Sequence, residues 1–244
     1  MELSVVELIA GTDSPVGTGK SGAQRGLVRY SDGSIKAAIV KRMDFKAIAA
    51  ECFCSMLLRR WGLNVPEPAI VGSPPVAFAC VDVSYPNLLQ RVGWSETLPP
   101  DVREALAEVG AKLVASFSQT PLALAADEAV RNLDRHLGNI LWDGNEVAWV
   151  DHDRALGVSP EPMPDMNKLA SLAVMSGEHA RIAAAAVTAT FTLSGNAVDE
   201  AHRVCSAHVD TKEFSFIVSD RLKHLANAVL DRFPKPNDLL EAVR

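Results

Sequence analysis

The segment between residues 134 and 153 carries oxygen-bearing side chains at spacings suited to phosphate chemistry. Asp134 and Asn139 are five residues apart, and Asp151 follows a second short run of β-type residues. A hairpin with its turn centred near Asn145 places Asn139 and Asp151 opposite each other, with their Cβ atoms about 5 Å apart. An amide oxygen and a carboxylate at that separation are suited to binding one hard divalent cation.

Asp134 lies on the segment that enters this hairpin, where its carboxylate can face the cation without binding it. The D-x-x-x-x-N spacing is typical of phosphoryl-transfer loops, in which the aspartate accepts or orients the hydroxyl proton of the substrate. An ordinary helix end followed by a charged surface turn would also explain these residues. The agreement of residue types, order and hairpin pairing favours the phosphoryl-transfer interpretation.

A lysine nearer the N-terminus is a candidate for binding phosphate. Lys41 ends a strand-like run, and the other residues on its face of the strand are apolar. A lysine in that place requires an anion to offset its desolvation, which phosphate oxygens and Glu51 of the next helix would provide. The alternative is that Lys41 only extends its amine to solvent. Lys36, on the opposite face, is the second candidate.

A glycine-rich stretch covers residues 11–26, and we predict that it forms a hairpin whose backbone amides cover phosphate oxygens. Gly17 and Gly19 are the candidate contacts. The segment G-T-G-K-S at 17–21 is similar to a Walker A loop, but Ser14 stands where that motif requires its first glycine. The residues that follow are extended in character, whereas a P-loop must open a helix. A P-loop NTPase is therefore the less favoured alternative.

The elements that must position these residues change character along the chain. Residues 3–10, 27–30, 35–41 and 76–83 have strand patterns, and an Asp-Gly turn joins the middle two. Apolar residues at helical spacing predict an amphipathic helix from Phe45 to about Trp61, which Gly62 ends. Beyond residue 85, helices are predicted at 101–118, at 121–131 and after 165, with a short hairpin at 140–150.

The composition bounds the fold class. The chain has 244 residues, of which 48% are hydrophobic and 22% charged. These values predict a globular chain of one large domain or two small lobes. The change from strand patterns to helix patterns near residue 85 favours an α+β protein of two lobes, a β-rich N-terminal lobe at 1–84 and a helical C-terminal lobe at 85–244.

The net charge argues against some classes of binding partner, and the cysteine content indicates the cellular compartment. A net charge of −6 argues against nucleic acid or an anionic membrane as the main partner. No apolar run approaches the ~20 residues that span a bilayer. The N-terminus lacks a signal-peptide pattern, and the four cysteines follow neither zinc-ligand nor disulfide spacing. We therefore expect a reduced, soluble, cytoplasmic protein.

The motif N-x-D-R-H-x-G-N-I-L followed by W-V-D-H-D resembles the catalytic core of HipA-like kinases and, more distantly, that of phosphoinositide kinases. Upstream, D-G-S-I-K-A-A-I-V-K and A-E-C-F-C-S-M-L-L-R-R-W-G-L-N-V-P-E-P are similar to the ATP-lysine strand and the acidic helix of that family. The resemblance covers about residues 10–155. It implies a protein-kinase-like fold with an ATP·Mg²⁺ site between its two lobes.

The resemblance also implies roles for individual residues. Asp134 would be the catalytic aspartate, Asn139 and Asp151 the magnesium ligands, Lys41 the phosphate-binding lysine and Glu51 its ion-pair partner. The reaction expected is transfer of the γ-phosphoryl group of ATP to a hydroxyl, with Ser or Thr of a protein as the favoured acceptor. The main alternative is an inactive pseudokinase that binds a nucleotide or a partner.

Neighbouring polar residues are expected to support this loop. Asp127, Asn132 and Arg135 would hold it by hydrogen bonds and charge, and His136 is more plausible as a hydrogen-bonded prop than as a base. Residues 152 and 153 stand where eukaryotic protein kinases have Phe-Gly, so no activation-loop switch is implied.

Overall fold

The computed structural model of the chain describes residues 2–16, 22–159 and 164–235. In these ranges the strands are β1 (Ser4–Leu8), β2 (Ser14–Pro15), β3 (Gln24–Arg29), β4 (Ile35–Lys41), β5 (Pro68–Val71), β6 (Ala77–Val81), β7 (Ile140–Trp142) and β8 (Val147–Trp149). The helices are α1 (Phe45–Arg60), α2 (Leu88–Arg91), α3 (Pro100–Ser116), α4 (Thr120–Ala129), α5 (Lys168–Met175), α6 (His179–Thr190), α7 (Gly195–Cys205), α8 (Lys212–Leu222) and α9 (Leu225–Leu230). No helix in these ranges has the length and apolar character required to cross a bilayer.

The N-terminal strands form a small closed barrel. The strand order is β1-β5-β6-β4-β3-β2, and β1 also pairs with β3, which closes the sheet and leaves β2 as an appendage. Alternate residues of each strand point inward and fill the barrel. The buried interior consists of Val6, Val28, Ala38, Val40, Ala69, Val71, Ala77 and Ala79. The strand patterns at 35–41 and 76–83 are confirmed, as is the Asp-Gly hairpin, in which Gly33 has φ +85°.

Helix α1 lies between the barrel and the helical part of the chain. The Asp44 side chain caps its N-terminus by accepting from the backbone N–H of Ala47 at 3.0 Å, and Gly62, with φ +91°, follows its end. All residues from 47 to 58 are buried. The helix is therefore confirmed, but the prediction that one of its faces is exposed is wrong. The barrel covers α1 on one side, and α7 covers it on the other.

The C-terminal part is helical apart from the β7–β8 hairpin. Helix α4 is central to it, and its residues 123–129 are buried against the surrounding helices. One apolar cluster continues from α1 and the outer barrel face into these helices. Strand β5 was not among the predicted strands; it begins at Pro68, and proline is tolerated at the first position of a strand. The predicted α+β, two-lobed fold is confirmed, whereas the lobe boundary at residue 84 stays a prediction.

Candidate active site

Lys41 lies at the end of β4 with its amine between two carboxylates. Its Nζ is 2.5 Å from Oε1 of Glu51 on α1 and 2.5 Å from Oδ1 of Asp151 after β8. Burial alone would lower the pKa of Lys41, but the two carboxylates outweigh it and raise that pKa above its usual value. The lysine is therefore held as a cation at the point where three segments of the chain meet.

The surroundings of Lys41 differ in part from the prediction. Ile35 and Ala37 share its strand face but are exposed on the outside of the barrel. Lys41, at the end of the strand, is only 8% exposed, and Glu51 of α1 contacts its amine. Lys36 lies on the opposite face, at one end of the barrel, where it pairs with Glu67 at 2.8 Å. The structure thus separates the two candidate lysines clearly.

The pairing of the β7–β8 hairpin is shifted by one residue from the prediction. Ile140 pairs with Trp149, so Val150 rather than Asp151 is opposite Asn139. The Asp143 carboxylate accepts from the backbone N–H groups of residues 145 and 146, both at 2.7 Å, and Gly144 has φ +115°. These contacts centre the turn between residues 144 and 145 instead of on Asn145. The predicted face-to-face register of Asn139 and Asp151 is therefore wrong.

Asp151 reaches the site by a local change of backbone direction just beyond the ladder. Its φ is +74°, a left-handed value that non-glycine residues rarely adopt. The preceding carbonyl, of Val150, accepts a hydrogen bond from Arg135, and the Asp151 carbonyl lies 3.5 Å from Nδ2 of Asn132. These neighbours fix the backbone on both sides of the Asp151 side chain, which then points toward Lys41.

Arg135 is the centre of the support beneath the loop. It is 1% exposed, and its guanidinium pairs with both oxygens of Asp127, at 2.8 and 2.9 Å. Asn132 donates to the same carboxylate at 3.2 Å. His136 accepts from the backbone N–H of Gly138 through Nδ1 at 3.0 Å. The supporting contacts expected from the sequence are thus present, and Asp127 links them to α4.

Asn139 is buried at the base of the hairpin, at the end of a short 3₁₀ turn. Its Nδ2 donates to the backbone carbonyl of Asp134 at 3.2 Å. This bond turns the amide oxygen of Asn139 away from the Asp134 carbonyl and fixes the loop between the two residues. The five-residue spacing therefore brings the Asn139 side chain within hydrogen-bond distance of the Asp134 backbone.

Asp134 carries two cationic partners that the sequence did not indicate. Lys168, the first residue of α5, contacts its Oδ1, and Nη1 of Arg154 lies 3.4 Å from its Oδ2. The Asn167 side chain caps α5, and the backbone N–H of Lys168 donates to the Leu133 carbonyl at 3.1 Å. Lys168 is 34 residues from Asp134 in sequence, so no motif spacing connects them.

A third carboxylate lies beside Asp151. Ligand oxygens of Glu51, Asp151 and Asp153 all lie within 4.8 Å of one another. Burial, and then the charge of Asp151, raise the pKa of Asp153 to about 6. Crowded carboxylate oxygens of this kind are a donor set that suits Mg²⁺. The D-x-D spacing after β8 was the available signal for Asp153, which we did not assign.

The glycine-rich segment is described only at its ends. Gly17 and Gly19 lie outside the described residues. Before them, β2 pairs with β3 in antiparallel fashion, with Ser14 opposite Arg25. The residues after the segment form strand β3 and not a helix, which is the opposite of what a P-loop requires.

A closed β-barrel, a buried lysine–glutamate pair and a helical lobe with a polar hairpin together define a kinase-like fold. Among solved structures, the chain is similar to the proinflammatory kinase CtkA of Helicobacter pylori, with 10% identity, a TM-score of 0.53 and coverage of 96% of this chain and 99% of CtkA. It is also similar to HipA of Shewanella oneidensis MR-1, in a toxin–antitoxin complex with HipB and operator DNA.

The HipA match has 14% identity and a TM-score of 0.52, and it covers 89% of this chain and 65% of the HipA chain. No protein-family model and no curated protein matches the sequence. At these identities the similarity establishes the kinase-like fold, which agrees with the resemblance found in the motifs.

Proposed function

We propose that the protein is an ATP- and Mg²⁺-dependent kinase that transfers the γ-phosphoryl group to a hydroxyl, with Ser or Thr of a protein as the acceptor. The observation that carries the proposal is the double ion pair of Lys41 with Glu51 and Asp151, each at 2.5 Å. It joins a candidate phosphate-binding cation to a candidate metal ligand in one cleft. An arrangement of this kind stabilises transferring phosphoryl groups by charge and position.

The nucleotide is proposed to lie along the outer face of the barrel. Leu27 and Ala37 pair across β3 and β4 on that face and are exposed, and Ile39 and Cys80 beside them are half-buried. This apolar surface suits the adenine ring and leads directly to Lys41, whose amine would contact phosphate oxygens. Gly17 and Gly19 stay predictions for backbone contacts to the phosphates.

Asn139 and Asp151 are proposed to hold Mg²⁺, with Asp153 beside them as a further oxygen donor. The ion, when bound, would neutralise phosphate oxygens and offset the repulsion among the carboxylates. The position of Asp151, with its carboxylate 2.5 Å from Nζ of Lys41, supports this assignment.

Asp134 is proposed as the catalytic residue that orients the acceptor hydroxyl and accepts its proton. Its carboxylate is 13% exposed, enough for contact with an entering hydroxyl. Lys168 and Arg154 place two positive charges at the same point, where they can bind the transferring phosphoryl group when the acceptor displaces them from Asp134.

The acceptor class is proposed from the fold and the charge of the chain. CtkA is described as a kinase, and the net charge of −6 favours a protein over nucleic acid or an anionic membrane as the acceptor. The cytoplasmic location remains part of the proposal and rests on the free cysteines, three of which are buried. A nucleotide-binding pseudokinase is the second candidate, because the same residues would bind Mg·ATP without transferring phosphate.

The test combines binding and turnover in the same preparation. Calorimetry with ATP, with and without Mg²⁺, measures binding, and γ-labelled ATP measures transfer to the protein itself and to added protein acceptors. We expect Mg²⁺-dependent binding and labelled phosphoprotein. Tight Mg·ATP binding without transfer to any acceptor would favour the pseudokinase, and no nucleotide binding would contradict both functions.

A further inference from the structure

His152 follows the candidate metal ligand Asp151 and turns into the protein interior. It is 1% exposed. Its ring Nδ1 lies 3.2 Å from Oε2 of Glu51, and its backbone N–H donates to the same oxygen at 3.1 Å. An ionised carboxylate accepts hydrogen bonds and donates none, so Nδ1 carries the hydrogen. Glu51 therefore receives two hydrogen bonds from one residue of the hairpin segment.

The two oxygens of Glu51 are divided between two partners. Oε1 pairs with Lys41, and Oε2 accepts from His152. Burial by itself would raise the pKa of Glu51, but Lys41 and the hydrogen bond from His152 outweigh burial and lower it. The carboxylate is thus kept ionised and fixed in orientation, and its orientation determines where the Lys41 amine lies.

Helix α1, which carries Glu51, is also attached to the C-terminal helices along its length. Lys46 pairs with Glu213 at 3.3 Å near its start, and Arg60 pairs with Glu200 at 3.3 Å near its end. Nε1 of Trp61 donates to the Ser194 carbonyl at 3.2 Å. The surface pair at Lys46 adds little by itself. The contact at His152 is the buried one, and it lies at the active-site end of the cleft.

We infer that His152 is a positioning residue that joins the lysine–glutamate pair to the metal-binding segment. The expected effect of His152 on kcat rests on the proposed function. Its effect on the position of the Lys41 amine does not, because that position is measured in the free protein. A phenylalanine at this place would fill space and keep only the backbone N–H donor to Glu51. The imidazole keeps the Lys41–Glu51 pair assembled before nucleotide arrives, without modification of the chain or a bound partner.

The test compares two substitutions with the same branched side-chain shape. His152→Asn keeps an N–H donor close to the position of Nδ1, whereas His152→Leu has no donor there. Acetylation by an amine-reactive reagent, read by mass spectrometry in the free protein, measures how firmly the Lys41 amine is held. We expect several-fold faster labelling of Lys41 in the leucine variant, near-wild-type labelling in the asparagine variant, and equal labelling of Lys36 in both.

The kinetic arm uses the same proteins with Mg·ATP. Loss of one hydrogen bond to a charged group should lower kcat by about tenfold in His152→Leu, with a smaller change in KM for ATP, and His152→Asn should recover most of kcat. If wild type transfers no phosphate, the proposed function fails while the labelling still decides the role of His152.

A packing role alone would affect both variants equally, so equal Lys41 labelling in His152→Leu and His152→Asn overturns the inference. Thermal unfolding checks that both variants are folded. Should His152→Leu fail to fold, His152→Phe restores the ring volume without the donor and is compared with His152→Asn in the same way.

Discussion

At the scale of single residues, the two lysines of β4 offer a matched comparison. Lys41 is buried between Glu51 and Asp151, and Lys36 lies on the other strand face with Glu67. Both are lysines of one strand, and only Lys41 faces the proposed phosphates. Their substitution therefore separates a role in transfer from a general effect of losing a lysine.

Lys41→Ala should lower phosphoryl transfer on the order of 10²-fold or more, because it removes one preorganised charge from the transferring group. Lys36→Ala should change transfer by about twofold at most, since surface substitutions have small effects. Initial rates with γ-labelled ATP measure both. An equal loss in the two variants would contradict the assignment of Lys41.

Asp134→Asn should lower transfer by roughly 10²–10⁴-fold, the loss typical of a positioned general base, because the amide keeps the shape but cannot accept the proton. Affinity for Mg·ATP, measured by calorimetry, should stay close to that of wild type. Asp220→Asn, an exposed position on α8, is the control. Transfer at the wild-type rate in Asp134→Asn would exclude Asp134 as the catalytic residue.

Asp151→Asn should weaken Mg²⁺-dependent ATP binding about tenfold or more, since even indirect partners of a metal site contribute 10–100-fold to affinity. The left-handed backbone and the Asn132 and Arg135 contacts are independent of the carboxylate, so the fold should persist. Calorimetry with and without Mg²⁺ measures the change, and circular dichroism checks the fold. Unchanged Mg²⁺ dependence in a folded variant would contradict the metal assignment.

The residues of the loop could be predicted because their spacing is local. Asp134, Asn139 and Asp151 lie within one supersecondary unit, and a hydrogen bond between Asn139 and the Asp134 carbonyl explains the five-residue spacing. Lys168 could not be predicted, because it arrives from the start of a distant helix. Asp153 could have been found from its spacing after Asp151, and was missed because the family resemblance assigned no role to it.

At the scale of elements, the sequence pattern predicts where a helix or strand lies, but not which distant segments pack against it. Helix α1 was predicted over nearly its full length, but its buried circumference depends on α7, which is distant in sequence. The β7–β8 hairpin was predicted with both strands, and its register was wrong by one residue. The register depends on the backbone N–H groups that the Asp143 carboxylate binds in the turn. A strand pattern in the sequence does not specify those hydrogen bonds.

Helix α4 is joined to the C-terminal helices by a fully buried carboxylate. Glu128 pairs with Arg221 at 2.9 Å and with Arg232 at 3.0 Å, and it accepts from Asn167 at 3.3 Å. Asn167 caps α5 and precedes Lys168, so this network also places a cation of the active site.

Glu128→Gln should lower the free energy of unfolding by about 3 kcal/mol, because it removes the carboxylate that pairs with Arg221 and leaves Arg232 with Asp165 alone. Urea denaturation followed by circular dichroism measures the loss. Glu108→Gln, an exposed residue of α3 paired with Lys112, should cost about 0.5 kcal/mol or less. A Glu128→Gln variant as stable as that control would show that the network contributes little to stability.

At the scale of the whole molecule, the two-lobed fold followed from the change of pattern near residue 85. Identities of 10% and 14% with CtkA and HipA leave few residues in common, although the folds are similar. The closed barrel was not predicted, because the pairing of β1 with β3 and β5 joins segments that lie far apart in sequence.

The barrel and the helical lobe share a boundary that is itself part of the core. Ile70 and Phe78 point outward from the barrel and belong to the same buried cluster as α1 and the C-terminal helices. Separate unfolding of the barrel would expose that surface to water, which disfavours a partly folded state. We therefore expect the chain to unfold as one cooperative unit.

A substitution in the barrel interior tests this expectation. Val40 is fully buried there, and Val40→Ala should lower stability by roughly 1–3 kcal/mol. All four tryptophans, Trp61, Trp94, Trp142 and Trp149, lie outside the barrel strands. Cooperative unfolding requires that the urea midpoint followed by tryptophan fluorescence falls together with that followed by far-ultraviolet circular dichroism. A fluorescence midpoint that stays at the wild-type value while the dichroism shifts would show that the barrel unfolds by itself, and that the contacts of α1 do not bind the two lobes into one unit.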